Sequence, residues 1–285
     1  MYWQVKRQVS MRTRFLLGNR DVPLGERLRI VASPRAGRRA MRFLVENRLH
    51  GELPEPHFSV SDLKFAFEPH YPIANRRELL RGISQVLVES FIFPDFFSGP
   101  VRVRPGDVVL DLGANIGTTA VVFSKCVGPE GRVFAFEPVV PELCRENTRR
   151  NAAANVTIVP CGVSDQPGRA DFHMSDFCLD SHCGPPPSGE RGAAHVRSAP
   201  LVRLDDWQEE QRLDRVDFIK MDIEGAEEAA IRGAERLIAR CRPRWSISSY
   251  HVDPTGELQH PKLVRLLKSF GYRVRECGRV RIFAW

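Results

Sequence analysis

The fold is decided by the stretch VVLDLGANIG, residues 108–117. Its first five residues are apolar apart from one aspartate and predict a short buried strand, and the glycines that follow predict a tight turn into a helix. The alternation continues toward the C-terminus. We expect further strands at 132–136, 156–160, 216–221 and 244–249, helices at 118–127, 141–151, 225–240 and 261–270, and a terminal hairpin at 272–285. Such alternation predicts a mainly parallel sheet that binds ligands beyond the carboxyl ends of its strands.

The turn at 113–117 indicates a nucleoside ligand. Gly113 and Gly117 let the backbone turn sharply and let a ligand approach the main chain, and Asn115 tolerates a positive φ between them. The middle glycine of a dinucleotide-binding turn is missing, and Asp111 stands before the first glycine. A carboxylate repels a diphosphate but attracts a sulfonium, so this turn favours S-adenosylmethionine over NAD.

Two further strand ends supply candidate cofactor contacts. Glu137 and Pro138 end the second strand, and Glu137 follows Gly117 by twenty residues. An acidic residue at that spacing can accept hydrogen bonds from the ribose hydroxyls. The third strand runs toward Ser164 and Asp165, either of which can hold the amino group of adenine. Three strand ends therefore converge on one predicted adenosyl ligand.

The fourth and fifth strands end in acidic residues and a histidine. Asp222 and Glu224 precede the next helix at the binding edge, and His251 follows the fifth strand. Imidazole titrates near neutral pH and can act as a base. We predict that these three residues are catalytic and that they align and deprotonate the methyl acceptor. We assign Glu227 and Glu228 to the favourable first turn of a helix. No metal site is predicted, although a divalent cation on the two carboxylates is an alternative.

The net charge of +7 is unevenly distributed. Residues 1–50 carry twelve Lys and Arg against three Asp and Glu, a net charge of +9 that leaves −2 for the remainder. We therefore expect a basic N-terminal extension over 1–100, acting as a cap on the substrate side, and a catalytic domain over 101–285. The basic block can contact an anionic membrane surface. We expect no nucleic acid partner, since the chain has no nucleic-acid motif and few aromatic residues for stacking.

Composition limits the class of protein further. Hydrophobic residues make up 42% of the chain and charged residues 27%, which excludes general disorder. The seven cysteines are an odd, thinly spread number, and we find no spanning apolar run and no secretory h-region. We expect a cytoplasmic protein. Segments with less regular patterns predict a helical stretch at 30–49, a strand at 62–67, a helix at 78–93 and a surface loop at 177–198.

Five segments carry a family resemblance. They are residues 111–117, 136–138, 204–207, 216–227 and 250–251, and they follow one another in order within a match from about 108 to 272 that covers over half the chain. On them the sequence resembles the FkbM family of S-adenosylmethionine-dependent methyltransferases. The resemblance implies a Rossmann-like class I methyltransferase fold, an α/β architecture with a seven-stranded, mainly parallel sheet and a terminal antiparallel hairpin. It also implies methylation, usually at a hydroxyl oxygen, of a small molecule such as a sugar, a glycolipid or a secondary metabolite.

Two other functions stay open at this point. One is an NAD-linked oxidoreductase on a similar sheet, which a nicotinamide titration would distinguish. The other is a nucleic-acid- or membrane-associated binding module with a degenerate enzyme domain. In that case the basic block drives binding, and salt weakens the binding steeply. The oligomeric state is not predicted.

Overall fold

The computed structural model describes residues 24–32, 49–50, 57–60, 63–66, 101–174, 181–183, 195–253, 255–277 and 280–285. The chain divides into two compact units, Met1–Pro94 and Asp95–Trp285. The described part of the first unit contains helix α1 (Leu24–Ala32) and an antiparallel sheet of strands β1 (Leu49–His50), β2 (His57–Val60) and β3 (Leu63–Ala66).

Sequence expectations for this first unit have mixed outcomes. The strand expected at 62–67 is confirmed as β3. The helix expected at 30–49 lies mostly outside the described residues, although 30–32 end α1 and Leu49 begins β1. The helix expected at 78–93 also lies outside them. The role of residues 1–100 as a cap stays a prediction. Within the described residues, no helix combines the length and the apolar character that a bilayer crossing requires.

The second unit alternates strands and helices. Its first elements are β4 (Val108–Leu112), α2 (Thr118–Val127), β5 (Arg132–Phe136), α3 (Pro141–Arg150), β6 (Val156–Val159), β7 (Gly162–Val163), β8 (Gly168–Met174), β9 (Ser181–Cys183) and β10 (His195–Val202). They are followed by α4 (Leu204–Glu210), β11 (Phe218–Met221), α5 (Glu227–Arg232), α6 (Glu235–Cys241), β12 (Arg244–Ser248), α7 (His260–Ser269), β13 (Val274–Cys277) and β14 (Arg281–Ala284).

The described strands form a seven-stranded sheet in the order β13-β14-β12-β11-β4-β5-β6. The strands run parallel except β14, which pairs antiparallel with β12 and β13. This confirms the Rossmann-like sheet with its terminal antiparallel hairpin. The order places β4 at the centre, between β5 and β11. Central strands of a parallel sheet bring the loops after them together at one edge.

Both faces of this sheet are covered, as its apolar strands require. Every residue of β4 is buried, and successive residues point to opposite faces. Leu110 packs on one side in a core that contains Ile231 and Leu263 from α5 and α7. Val109 packs on the other side with Phe123 from α2. Each such side chain contributes about 1.5–3 kcal/mol when fully buried. The sandwiched faces leave the carboxyl edge as the place for a ligand.

The surface loop expected at 177–198 is wrong in part. Residues 181–183 form β9 and residues 195–198 begin β10, in a four-stranded sheet of described strands ordered β7-β10-β8-β9. β10 pairs antiparallel with β8 from His195 opposite Met174 to Leu201 opposite Gly168. The pairing satisfies the backbone of a segment with low apolar content, which periodicity alone does not reveal. Residues 177–180 and 184–194 of the predicted loop lie outside the described part.

The single helix expected at 225–240 is also wrong. Two short helices, α5 and α6, replace it, and the break falls at Gly233 and Ala234. The carbonyl oxygen of Gly233 accepts a hydrogen bond from the N–H of Asp205 at 3.0 Å. An oxygen of the Asp205 side chain accepts a second hydrogen bond, from the N–H of Leu237 in the first turn of α6, at 2.8 Å. The start of α4 thus satisfies backbone groups that the break exposes.

Candidate active site

The loops after β4 and β11 touch at the carboxyl edge of the sheet. Nζ of Lys220 donates a hydrogen bond to the carbonyl oxygen of Gly113 at 2.6 Å. Gly113 has a φ of +77°, and a Cβ built on it would lie 1.9 Å from the carbonyl oxygen of Asp222. Only glycine permits this approach. The turn expected to bind the cofactor therefore lies against the segment expected to carry the catalysis.

The remainder of this turn has the backbone shape that its sequence predicted. Asn115 has a φ of 52°, which confirms the expected positive φ. Its Oδ1 accepts a hydrogen bond from the N–H of Ile116 at 2.6 Å. Gly117 has a φ of +90°, and a Cβ there would lie 3.0 Å from Sγ of Cys144 on α3. Direct contact of these residues with a cofactor stays a prediction.

Asp111 has partners that the sequence argument did not include. Its side chain is completely buried, and Oδ2 accepts a hydrogen bond from Oγ1 of Thr119 at 2.6 Å. Nζ of Lys220, itself buried, lies 3.2 Å from Oδ1. The negative charge of Asp111 is therefore compensated inside the protein. Asp111 thus pairs with Lys220, which in turn donates to the turn at Gly113, and attraction of a sulfonium by Asp111 stays a prediction.

Glu137 connects the turn after β4 to the chain after β5. Its Oε2 accepts a hydrogen bond from the N–H of Asn115 at 2.7 Å. Its Oε1 accepts two more, from Val139 at 2.7 Å and Val140 at 3.0 Å, while the half-buried Pro138 lies between. Burial raises the pKa of Glu137, although these three backbone hydrogen bonds act in the opposite direction. The carboxylate is thus fixed at the edge where the ribose was expected.

Ser164 and Asp165 make their contacts at another place. The N–H of Ser164 donates to the carbonyl oxygen of Val202 at 3.0 Å, and its Oγ lies 3.2 Å from Oδ1 of Asp165. The carbonyl oxygen of Ser164 lies against Gly233. These contacts attach the turn to β10 and to the α5–α6 break. The assignment of Ser164 and Asp165 to the adenine stays a prediction.

The three predicted catalytic side chains do meet. Nε2 of His251 lies 3.5 Å from Oδ1 of Asp222 and 3.3 Å from Oε2 of Glu224. One oxygen or nitrogen of each residue lies within 4.8 Å of the other two. His251 is buried, whereas Asp222 and Glu224 are half-buried. We call this group the acid–histidine cluster, and it lies directly beyond β11 and β12.

Glu227 lies in the first turn of α5, as expected, but its side chain also contacts His251. Its side chain is completely buried, and Oε1 lies 2.7 Å from Nδ1 of His251. Oε2 accepts hydrogen bonds from the N–H of Gly225 and from Nε2 of Gln259, each at 3.0 Å. Glu228, by contrast, pairs with Arg232 at the surface. Glu227 falls inside the family segment 216–227 and Glu228 does not, which is the signal that separates them.

Carboxylates surround the imidazole of His251. Burial of the ring acts to lower its pKa, but the hydrogen bond and charge of Glu227, together with Asp222 and Glu224, outweigh it. The result is a pKa of His251 raised to about 9. The carboxylates of the cluster therefore stabilise the protonated, positively charged form of the imidazole.

The strand order defines an α/β fold, and the glycine turn at 113–117 and the acid–histidine cluster lie together at the carboxyl edge of its sheet. Residues 111–274 match the family described as Methyltransferase FkbM domain. The chain belongs to this family and is an S-adenosylmethionine-dependent methyltransferase. Membership of this family excludes the two alternative functions, the NAD-linked oxidoreductase and the binding module with a degenerate enzyme domain.

Individual relatives agree with the family. The chain is 30% identical over 181 residues to 2-O-methyltransferase NoeI of Sinorhizobium fredii, covering 59% of this chain and 73% of NoeI. It is 30% identical over 207 residues to 31-O-demethyl-FK506 methyltransferase FkbM of Streptomyces tacrolimicus, covering 61% and 75%. The solved structure of methyltransferase FkbM from Methylobacillus flagellatus is 21% identical with a TM-score of 0.45, and the match covers 74% of this chain and 56% of that one.

Proposed function

We propose that this enzyme methylates a hydroxyl oxygen of a small molecule such as a sugar, a glycolipid or a secondary metabolite. The close approach of Gly113 to the backbone of Asp222 carries the proposal. It joins the glycine turn to the acid–histidine cluster, whose side chains can receive a proton. Two relatives support oxygen as the atom that is methylated, since their names describe a 2-O-methyltransferase and a 31-O-demethyl-FK506 methyltransferase. No nucleic acid partner is proposed.

The chain's own residues fit S-adenosylmethionine. A carboxylate has about four acceptor positions, and Glu137 uses three of them for backbone N–H groups. The remaining acceptor capacity suits a ribose hydroxyl. The turn from Gly113 to Gly117 lies beside Glu137, and Asp111 stabilises this turn through Lys220. Pro138 belongs to the same ribose-side contact, and Ser164 or Asp165 holds the adenine.

The acid–histidine cluster handles the acceptor. S-adenosylmethionine supplies a methyl group on a positively charged sulfur, which leaves as a neutral thioether. A hydroxyl acceptor must lose its proton as its oxygen becomes methylated. Asp222, Glu224 and His251 converge at the edge where this proton is released. Glu227 orients the imidazole by holding Nδ1, so that Nε2 points at the two carboxylates.

A calorimetric titration of the 285-residue chain with S-adenosylhomocysteine tests the predicted cofactor. We expect the wild-type protein to bind and Glu137→Ala to lose binding. Glu142→Ala is the matched control, because it also removes a carboxylate but from an exposed position paired with Arg197. Folded wild-type protein that fails to bind S-adenosylhomocysteine would overturn the proposal.

The acceptor itself needs a second experiment. Metabolites of cells with and without the active protein can be compared after feeding labelled methionine. We expect a labelled methyl ether that depends on the protein and disappears in the Asp222→Asn variant. Label found solely on nitrogen or carbon would contradict O-methylation while leaving the methyltransferase class intact.

A further inference from the structure

Two buried polar atoms of the acid–histidine cluster lack a hydrogen-bond partner. Within the described residues, neither Nε2 of His251 nor Oδ1 of Asp222 makes a hydrogen bond. His251 is 7% exposed, so water does not compensate its ring nitrogen. Buried polar atoms of this kind normally find a partner. The two atoms lie 3.5 Å apart, and Oε2 of Glu224 lies 3.3 Å from the same ring nitrogen.

The distances from Nε2 of His251 to the two carboxylates are longer than those of charge-assisted hydrogen bonds. Such bonds measure about 2.7–2.9 Å, whereas Nε2 of His251 lies 3.5 Å from Oδ1 of Asp222 and 3.3 Å from Oε2 of Glu224. Two ligands bound at about 2.1 Å to one ion, at angles between perpendicular and tetrahedral, are about 3.0–3.4 Å apart. The observed spacing is close to that of neighbouring ligands of one cation.

The imidazole is also oriented as a metal ligand requires. Carboxylates accept hydrogen bonds, so Oε1 of Glu227 holds the proton on Nδ1 of His251. When a cation displaces the proton of Nε2, the lone pair of that nitrogen is directed at Asp222 and Glu224. A carboxylate behind a histidine that ligates a metal fixes the tautomer in the same way. Glu227 is itself held by Gly225 and Gln259.

We propose that Asp222, Glu224 and His251 bind one divalent transition-metal ion, which would take the acceptor oxygen as a further ligand. The proposal rests on the function proposed above and assigns the chemistry of its acceptor site. One imidazole nitrogen with two carboxylate oxygens suits Mn²⁺, Fe²⁺ or Zn²⁺, whereas Mg²⁺ prefers oxygen ligands alone. An ion there polarises a bound hydroxyl and lowers its pKa.

Manganese binding to the chelator-treated, 285-residue chain tests the proposal. Free Mn²⁺ gives an electron paramagnetic resonance signal that decreases as the ion binds to protein. We expect one Mn²⁺ per chain, with Mg²⁺ a poor competitor. Glu227→Gln should weaken the affinity by about 10–100-fold, the usual effect of losing a carboxylate behind a ligating histidine. His251→Asn and Glu224→Gln should weaken it at least as much.

Two controls make the result decisive. Glu228→Gln makes the same charge change one residue beyond Glu227, on a side chain paired with Arg232, and should leave Mn²⁺ affinity unchanged. Circular dichroism shows whether His251→Asn folds, and Glu224→Gln, at a half-buried position, serves if it does not.

The outcomes separate this inference from the proposed function. A wild-type chain that binds S-adenosylhomocysteine but neither Mn²⁺ nor Zn²⁺ overturns the metal site alone. Equal Mn²⁺ affinity of wild type, Glu224→Gln and His251→Asn also overturns it, and leaves a protonated imidazole as the positive charge of the cluster. Stoichiometric Mn²⁺ binding without S-adenosylhomocysteine binding would support the metal site and contradict the cofactor assignment.

Discussion

Nδ1 of His251 lies 2.7 Å from Oε1 of Glu227, and the opposite nitrogen of the ring faces Asp222 and Glu224. The other buried histidine nearby, His260, is held at both nitrogens: Nδ1 lies 2.8 Å from Oγ of Ser249 and Nε2 lies 2.9 Å from a carboxylate oxygen of Glu276. His251 therefore has one ring nitrogen available for chemistry, and His260 has none.

Glu227→Gln should lower kcat by about 10²-fold, at the low end of what a positioned acid or base contributes. A neutral amide can offer either its oxygen or its NH₂ group to Nδ1 of His251, so the tautomer of the ring is no longer fixed and the negative charge behind it is lost. We expect the affinity for S-adenosylhomocysteine to stay unchanged, because the hydrogen bonds of Glu227 go to His251, Gln259 and the backbone after β11. Initial rates of labelled-methyl transfer, together with calorimetry, check this. Glu228→Gln is the control, and an equal loss of kcat in both variants would contradict a positioning role.

Lys220→Met should lower the free energy of unfolding by about 3–5 kcal/mol, because it leaves the buried carboxylate of Asp111 without its counter-charge. The double variant Asp111→Asn/Lys220→Met removes both charges and should recover part of this loss. Urea unfolding of the wild-type, single and double variants measures the coupling. A double variant as unstable as the sum of the two single variants would show that the pair does not interact.

Gly113→Ala should destabilise the protein more than Gly106→Ala. Both glycines have a positive φ, +77° and +81°, which costs an alanine about 1–2 kcal/mol. A Cβ on Gly106 meets nothing within 4 Å, whereas one on Gly113 would lie 1.9 Å from the carbonyl oxygen of Asp222. The difference in unfolding free energy between the variants isolates this clash. Equal losses would mean that the two loops do not touch as described.

His260→Asn should lower stability without lowering the rate of methyl transfer per folded molecule. The change leaves the buried Oγ of Ser249 without its partner, at a cost of about 1–3 kcal/mol. His251→Asn should instead cause a large loss of the rate of methyl transfer per folded molecule. Thermal unfolding and labelled-methyl transfer, measured on the same samples, compare the two. A rate loss in His260→Asn as large as in His251→Asn would contradict the distinction between the two histidines.

Local patterns in the sequence predicted the sheet well. The strand at β4 and the glycine turn after it follow from contiguous residues, and so does the positive φ of Asn115. The same patterns missed β9 and the start of β10, because those segments are stabilised by pairing with β8 rather than by their own apolar residues. They also joined α5 and α6 into one helix, because the hydrogen bond from Asp205 to Gly233 connects distant parts of the chain.

The candidate site was likewise predictable from the sequence in part. Because parallel strands place their carboxyl ends together, the sequence sufficed to bring Asp222, Glu224 and His251 to one edge. Adjacent glutamates looked equivalent as first-turn acids of α5, yet Glu227 is buried against His251 and Glu228 pairs with Arg232. Which way each side chain points depends on how α5 packs on the sheet, and no local pattern contains that information.

The sequence by itself determined a parallel α/β sheet, a glycine turn at its carboxyl edge and acidic residues beside it, because each of these depends on neighbouring residues and strand periodicity. The tertiary structure alone decided how the charges pair. It placed Lys220 against Asp111 and Glu227 against His251, so that Asp111 supports the turn while Asp222 and Glu224 face an imidazole nitrogen. Electrostatic partners are set by distance in space, which the order of residues along the chain does not specify.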